Sequence, residues 1–136
     1  MERTLTCEVD EMKLITAVVR PEMCQPVKDA LREAGINGMT ITHVYGSGSQ
    51  GGLRFTTRAG EIIIDELEKT KIEIVLEDKK VDKALDIIVK SAKTGKPGDG
   101  RIIVTPVEKF IRIRTETDEM LKESETPLEA SGVKEE

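Results

Sequence analysis

The spacing of apolar residues predicts two helices and four main strands. The first strand covers residues 13–20, a run rich in Ile and Val. A helical face follows at the spacing i, i+3, i+4 and i+7, formed by Val27, Ala30, Leu31 and Ala34. Gly35 is the expected helix stop, because glycine readily adopts the left-handed conformation that ends many helices. The chain is therefore predicted to start with strand, helix and turn.

The same reasoning predicts the later elements. Period-two alternation predicts a second strand over residues 39–44 and a third over residues 71–76. Asp78 is the candidate N-cap of a second helix. The apolar face of that helix comprises Val81, Ala84, Leu85, Ile88 and Ala92. A fourth strand is predicted over residues 102–107, with a short extended piece over residues 110–114.

Between the second and third strands lies a long polar segment without a packing pattern. It opens with the glycine- and serine-rich run 46–52 and stays polar to about residue 60. Loops of this length are uncommon in compact domains and are usually functional or disordered. The apolar run 62–64 is expected to be the loop's return arm. Residues 1–11 form a polar leader, and the acidic residues 116–136 are expected to be disordered.

The predicted order is strand, helix, strand, strand, helix, strand, which is the βαββαβ order of an α+β, ferredoxin-like fold. In this fold two helices cover one face of an antiparallel sheet. The first strand is apolar on both faces, with Ile15, Ala17 and Val19 on one and Leu14 and Val18 on the other. Because the uncovered face would expose apolar residues to water, we expect an oligomer formed through it.

Composition and charge argue against several classes of function. A formal net charge of −5 and only three aromatic residues disfavour a nucleic-acid binder, which usually has a basic face and stacking aromatics. No apolar run approaches the roughly 20 residues of a membrane helix, so we expect a soluble, cytoplasmic protein without direct membrane insertion. Cys7 and Cys24 lack metal-ligand spacing, and reduced thiols are favoured over a disulfide. His43, the single histidine, is expected in the core or an interface.

A glycine-rich segment carries the clearest chemical signal. In residues 94–101, TGKPGDGR, three glycines leave backbone N–H groups open to a polyanion. Lys96, Arg101, Arg112 and Arg114 add four cations, and guanidinium groups match the geometry of phosphate oxygens. Local positive charge in an acidic chain indicates a small phosphorylated ligand. A nucleotide pocket is the first hypothesis.

Several segments of the chain resemble one known family. They are MKLITA at 12–17, GMTIT at 38–42, KIEIV at 71–75, TGKPGDGRI at 94–102, PVE at 106–108 and RIRT at 112–115. With no apparent gap, they span roughly three quarters of the chain. On these segments residues 12–115 resemble the PII nitrogen regulatory signal transduction proteins.

The resemblance implies a homotrimer that binds ATP or ADP in the clefts between subunits. In this family 2-oxoglutarate joins Mg-ATP in the same cleft and chelates the Mg²⁺. Each subunit projects a T-loop that docks on target proteins, here about residues 46–67. The B-loop would be about residues 93–101 and the C-terminal loop about residues 108–115. The implied targets are an ammonium transporter, glutamine synthetase or another nitrogen-assimilation protein.

The resemblance also assigns site residues. Phosphates would contact Gly98, Asp99, Gly100 and Arg101 of one subunit and Arg112 and Arg114 of its neighbour. The adenine and ribose would be lined by Thr40, Gly48, Glu73 and Val75. Gln50 would contact Mg²⁺ and 2-oxoglutarate, and Lys69 would pair with the 2-oxoglutarate carboxylate. Arg58 matches a T-loop arginine that docks on ammonium transporters in some relatives, and Phe55 is a candidate aromatic anchor on the same loop.

The chain departs from the family pattern at four positions. Ser49 stands where many relatives have an arginine that faces the phosphates, which predicts a weaker contact with the terminal phosphate. Arg101 stands where most relatives have lysine. The tyrosine that is uridylylated in some relatives falls at Ile62, and the serine that is phosphorylated in others falls at Gly60. Both modification sites are therefore missing.

Three functions remain open on the sequence. The first is a non-catalytic trimeric sensor of nitrogen status, in which a ligand at the base of the T-loop fixes one loop shape. The second is a divergent PII-like regulator that responds to adenine nucleotides alone, or to another small anion, and controls a different transporter. The third is an enzyme of phosphoryl transfer with Asp99 as its base. Of these, we expect the sensor and no enzyme.

Overall fold

The computed structural model describes residues 11–47, 53–64 and 66–120. Its main sheet contains β1 (Met12–Val19), β2 (Thr40–Ser47), β5 (Glu66–Glu77) and β6 (Gly100–Val107). These strands are antiparallel and lie in the order β2-β5-β1-β6. Helix α1 (Cys24–Glu33) follows β1 and helix α2 (Asp78–Ala92) follows β5, so these six elements have the βαββαβ order. The α+β, ferredoxin-like prediction is confirmed.

A single aliphatic core lies between the sheet and the two helices. On β1, Ile15, Ala17 and Val19 are buried, whereas the alternate residues Leu14 and Val18 are only half-buried. The helices contribute their predicted apolar faces to the same core, with Val27, Leu31, Val81, Ala84, Ile88 and Ala92 buried. The period-two and period-3.6 patterns therefore identified the inward faces correctly.

The starts and ends of the helices follow local chemistry. Gly35 adopts φ +86° just after α1, as the helix-stop prediction requires. The N-cap of α2 is Glu77, so the prediction of Asp78 as N-cap is wrong. The Asp78 carboxylate instead accepts a hydrogen bond from Lys13 Nζ at 2.7 Å, which raises the pKa of Lys13 above its usual value. This ion pair joins the start of α2 to β1.

The long segment after β2 contains a hairpin that apolar spacing did not predict. Its strands are β3 (Leu53–Thr57) and β4 (Gly60–Ile64), and β4 confirms the expected return arm. In the turn, the Thr57 hydroxyl donates to the Gly60 carbonyl at 2.8 Å. The strand β5 also begins earlier than expected. Its first residues are mostly charged, so apolar alternation does not predict them, but they pair with β2 through the backbone.

The chain remains regular beyond the boundary expected at residue 115. Strands β7 (Ile111–Arg112) and β8 (Thr117–Asp118) pair as a short hairpin, and Met120 is buried. The expectation of disorder from residue 116 is therefore wrong for the first residues of the tail, because backbone pairing and an ion pair hold them. The leader at 1–10 and the tail at 121–136 lie outside the described residues.

Three smaller expectations concern single side chains and membranes. His43 is exposed on the edge strand β2, so its placement in the core is wrong; an interface position stays a prediction. Cys24 is a free thiol, and Cys7 lies outside the described residues. Across the described ranges, neither helix is long and apolar enough to cross a membrane.

Candidate functional site

The glycine-rich loop is braced from within by one carboxylate. Asp99 accepts hydrogen bonds from the backbone nitrogens of Thr94 and Gly95, both at 2.8 Å, and from the Thr94 hydroxyl. It also accepts one from Arg20 Nε at 3.0 Å. These contacts, above all that of the Thr94 hydroxyl, hold the pKa of Asp99 well below its usual range. Because a general base needs a pKa near the working pH, Asp99 is suited to bracing the loop and not to base catalysis.

Three glycines give the loop its shape. Gly95, Gly98 and Gly100 have φ values of +87°, +99° and +108°, a region that favours glycine. At Gly100 a Cβ would lie 1.8 Å from the Val18 carbonyl oxygen, so the start of β6 approaches β1 more closely than any side chain would allow. The sequence motif is therefore a structural requirement of this turn as well as a candidate phosphate cradle.

Two cations converge on the loop beside Gly98. Arg20 Nη2 donates to the Pro97 carbonyl at 2.7 Å, and Lys69 Nζ donates to the Gly98 carbonyl. A Cβ at Gly98 would lie 3.3 Å from Arg20 Nη2 and 3.6 Å from Lys69 Nζ. Within this group Asp99 balances one of the two positive charges, so the surface retains positive charge for an incoming anion.

Arg20 is a site residue that sequence reasoning missed. It was assigned only to the end of the first strand, and 79 residues separate it from Asp99. The signal that would have found it is strand pairing, because Val19 pairs with Gly100 in the β1–β6 register. The residue after Val19 must then lie near the glycine-rich loop.

A second group of predicted residues surrounds a separate cavity. Thr40, Glu73, Val75 and Arg112 line a cavity of about 600 Å³, together with Phe110. Thr40 and Glu73 are direct cross-strand partners in the β2–β5 register, which explains why they meet. Arg112 Nε donates to Glu119 at 3.0 Å. The lining combines apolar side chains with the cations Lys80 and Arg112 and the Glu73 carboxylate, which suits a ligand with both a ring and charged groups.

The single chain keeps these two groups apart. Asp99, Gly100 and Arg101 border a smaller cavity of about 350 Å³ against α2, and none of them lines the larger cavity. Arg114 lies in the turn after β7 and lines neither cavity, so the structure does not place it beside Arg112 on one strand. The predicted phosphate-binding residues are thus presented on two surfaces.

The remaining predicted residues lie on the hairpin or outside the described chain. Phe55 is 47% exposed on β3 and faces Ile62, 48% exposed, across the hairpin. Arg58 is exposed at the hairpin turn. Gly48 and Gln50 lie outside the described residues, as does Ser49. The hairpin therefore carries an apolar pair and a cation in contact with solvent.

Comparison with known proteins places this architecture in a family. The model of the family described as Nitrogen regulatory protein P-II matches residues 12–117. Nitrogen regulatory protein P-II 2 of Methanothermobacter thermautotrophicus is 50% identical over 104 residues, covering 76% of this chain and 90% of the relative. Nitrogen regulatory protein P-II of Azospirillum brasilense is 47% identical over 104 residues, covering 76% and 93%.

A solved structure gives the same result at the level of the fold. The crystal structure of Arabidopsis thaliana PII bound to citrate is 33% identical and superposes with a TM-score of 0.66, covering 80% of this chain and 89% of that one. The matched region includes the main sheet, both helices and the glycine-rich loop. The chain therefore belongs to the PII nitrogen regulatory protein family, whose members are signal-transducing regulators and not enzymes.

Proposed function

We propose that this protein is a homotrimeric, cytoplasmic regulator of nitrogen metabolism that binds ATP and ADP between its subunits. The observation that carries the proposal is the division of the candidate residues between two surfaces. One surface offers the glycine-rich loop with Arg101, and the other offers Arg112 beside the cavity lined by Thr40 and Glu73. Two copies placed with these surfaces together would complete a pocket for phosphates and a base.

The uncovered face of the sheet supports assembly. Leu14 and Val18 are half-buried on the face that the helices leave open, and Ile103 is 47% exposed there. Contact with other copies would remove these side chains from water, which stabilises the assembly by roughly 25 cal/mol for each Å² of apolar surface buried. The trimer that the family resemblance implies uses this face.

The convergence of Arg20 and Lys69 supports a carboxylate ligand beside the nucleotide. Two cations beside Gly98 suit a small acid such as 2-oxoglutarate, and the Arabidopsis relative is bound to citrate, which also carries carboxylates. The described residues contain no cluster of three or more metal-binding side chains. Mg²⁺ would therefore be held mainly by phosphate and 2-oxoglutarate oxygens, with Gln50 as the protein ligand.

Ligand binding would act on targets through the T-loop hairpin. Lys69 lies on β5, just after the hairpin, so a ligand that engages it is positioned to favour one hairpin orientation. The exposed Phe55 and Arg58 would then contact an ammonium transporter, glutamine synthetase or another nitrogen-assimilation protein.

Ser49 supports a second candidate function. Because serine lacks the cation that many relatives place against the phosphates, the protein would respond to adenine nucleotides alone or to another small anion. It would then control a different transporter. Binding of 2-oxoglutarate separates this divergent regulator from the nitrogen sensor.

Isothermal titration tests both candidates. ATP and ADP would each be titrated with Mg²⁺, with and without 2-oxoglutarate, into wild type, Arg112→Ala and the control Arg32→Ala, an exposed arginine on α1. The nitrogen sensor predicts nucleotide binding that is lost in Arg112→Ala and kept in Arg32→Ala, with 2-oxoglutarate binding only in the presence of Mg-ATP. Nucleotide binding without any 2-oxoglutarate response would favour the divergent regulator. Absence of nucleotide binding would overturn both.

A further inference from the structure

The arginine assigned to the phosphate clamp is already engaged by an acidic side chain of its own hairpin. Arg112 Nε donates to Glu119 Oε2 at 3.0 Å. The backbone holds the two residues in place, because Glu119 N donates to the Phe110 carbonyl at 2.8 Å and Glu116 N donates to the Arg112 carbonyl at 2.7 Å. The β7–β8 pairing thus fixes the carboxylate beside the guanidinium.

The pair is accessible enough to be displaced. The side chains of Arg112 and Glu119 are 55% and 30% exposed, and among the described residues Glu119 is the only hydrogen-bond acceptor of Arg112. Exposed ion pairs typically contribute less than about 1 kcal/mol, so an anion with more charge replaces the carboxylate readily. A phosphate that takes over Arg112 must nevertheless approach a fixed negative charge.

We propose that Glu119 is an affinity- and charge-selecting residue of the nucleotide site. In the free chain the Glu119 carboxylate pairs with Arg112. When a nucleotide binds, its phosphates take the place of the carboxylate, which then lies close by and repels the phosphates. The repulsion grows with ligand charge, so Glu119 weakens the binding of ATP more than that of ADP. It therefore lowers the affinity for ATP relative to the affinity for ADP. This inference rests on the proposed nucleotide binding.

The substitution Glu119→Gln isolates the charge. Glutamine keeps the size of the side chain and an oxygen that accepts from Arg112, while it removes the negative charge. Glu116→Gln is the matched control, because Glu116 lies in the same hairpin and makes no ion pair within the described part of the chain. Both variants change the net charge equally, so any difference between their nucleotide affinities is due to the position of the charge that was removed.

Titration of Mg-ATP and Mg-ADP into wild type and both variants tests the proposal. We expect Glu119→Gln to bind ATP about fivefold more tightly than wild type, the scale of one exposed ion pair, with a smaller gain for ADP. Glu116→Gln should stay close to wild type. The gain should largely disappear at about 1 M salt, where the screening length falls to about 3 Å.

The outcomes separate this inference from the proposed function. Equal affinities for Glu119→Gln and Glu116→Gln, or weaker binding by Glu119→Gln, would overturn the selecting role and leave nucleotide binding intact. If wild type binds no nucleotide, the proposed function is overturned, and the inference that rests on it is overturned with it. Thermal melts of each variant verify that the fold is retained.

Discussion

Replacing Gly100 with alanine should destabilise the fold severely. Gly100 has φ +108°, and a Cβ there would lie 1.8 Å from the Val18 carbonyl oxygen and 2.9 Å from its carbon. Relief of this clash requires the start of β6 to move away from β1 by roughly 1 Å, which weakens the ladder between the two strands. The backbone strain costs about 1–3 kcal/mol, and each weakened ladder hydrogen bond about 1 kcal/mol more. We expect a total loss of about 3 kcal/mol or more in the free energy of unfolding.

Gly95→Ala provides the matched control for this prediction. Gly95 has φ +87°, but nothing lies within 4 Å of a Cβ built there, so alanine adds backbone strain without a clash. We expect it to cost about 1 kcal/mol. Urea denaturation of both ligand-free variants at one protein concentration gives the comparison, because assembly makes apparent stability depend on concentration. Equal losses at the two positions would refute the argument from close approach.

Three further changes test the core and the loop brace. Thr70→Val should raise the free energy of unfolding by about 1 kcal/mol, because Thr70 Oγ1 is buried without a partner in the described structure; a lower denaturation midpoint would contradict this. The pKa of Asp99 is lowered on folding, so the stability that its charged form contributes is present above about pH 4 and is lost in stronger acid. The free energy of unfolding of wild type should therefore exceed that of Asp99→Asn by a constant amount from about pH 5 to 8. A difference that varies across this range would count against the brace. Arg20→Met should speed hydrogen exchange at residues 94–99 and leave α1 unchanged, and unaltered exchange in the loop would exclude the bracing role of Arg20.

Local sequence patterns were sufficient for most of the fold. Alternation on β1 identified both its buried and its open face, and the spacing in α1 and α2 identified their inward residues. Patterns failed where backbone pairing, and not apolar burial, makes the element. The hairpin β3–β4 is one example, since residues 54–62 have exposed side chains, and the start of β5, which pairs with β2 through the backbone, is another.

The candidate site was less accessible to sequence reasoning. The sequence predicts the glycine-rich run and Arg112 as phosphate ligands, but their separation on two surfaces depends on strand order, which periodicity does not give. The contact of Arg20 with Asp99 joins residues far apart in the chain. The contact between Arg112 and Glu119 falls in a polar segment whose composition suggested disorder.

Mixed oligomers test the claim that the nucleotide site is shared between copies. Arg101→Ala impairs the surface of the glycine-rich loop, and Arg112→Ala impairs the surface of the larger cavity. The two variants would be co-expressed with different tags, purified through both tags and titrated with Mg-ATP beside each variant alone. Each variant alone should fail to bind, whereas a mixed trimer has one junction at which both intact surfaces meet, so about a third of the sites should be restored. Mixed oligomers that bind no nucleotide would contradict a shared site.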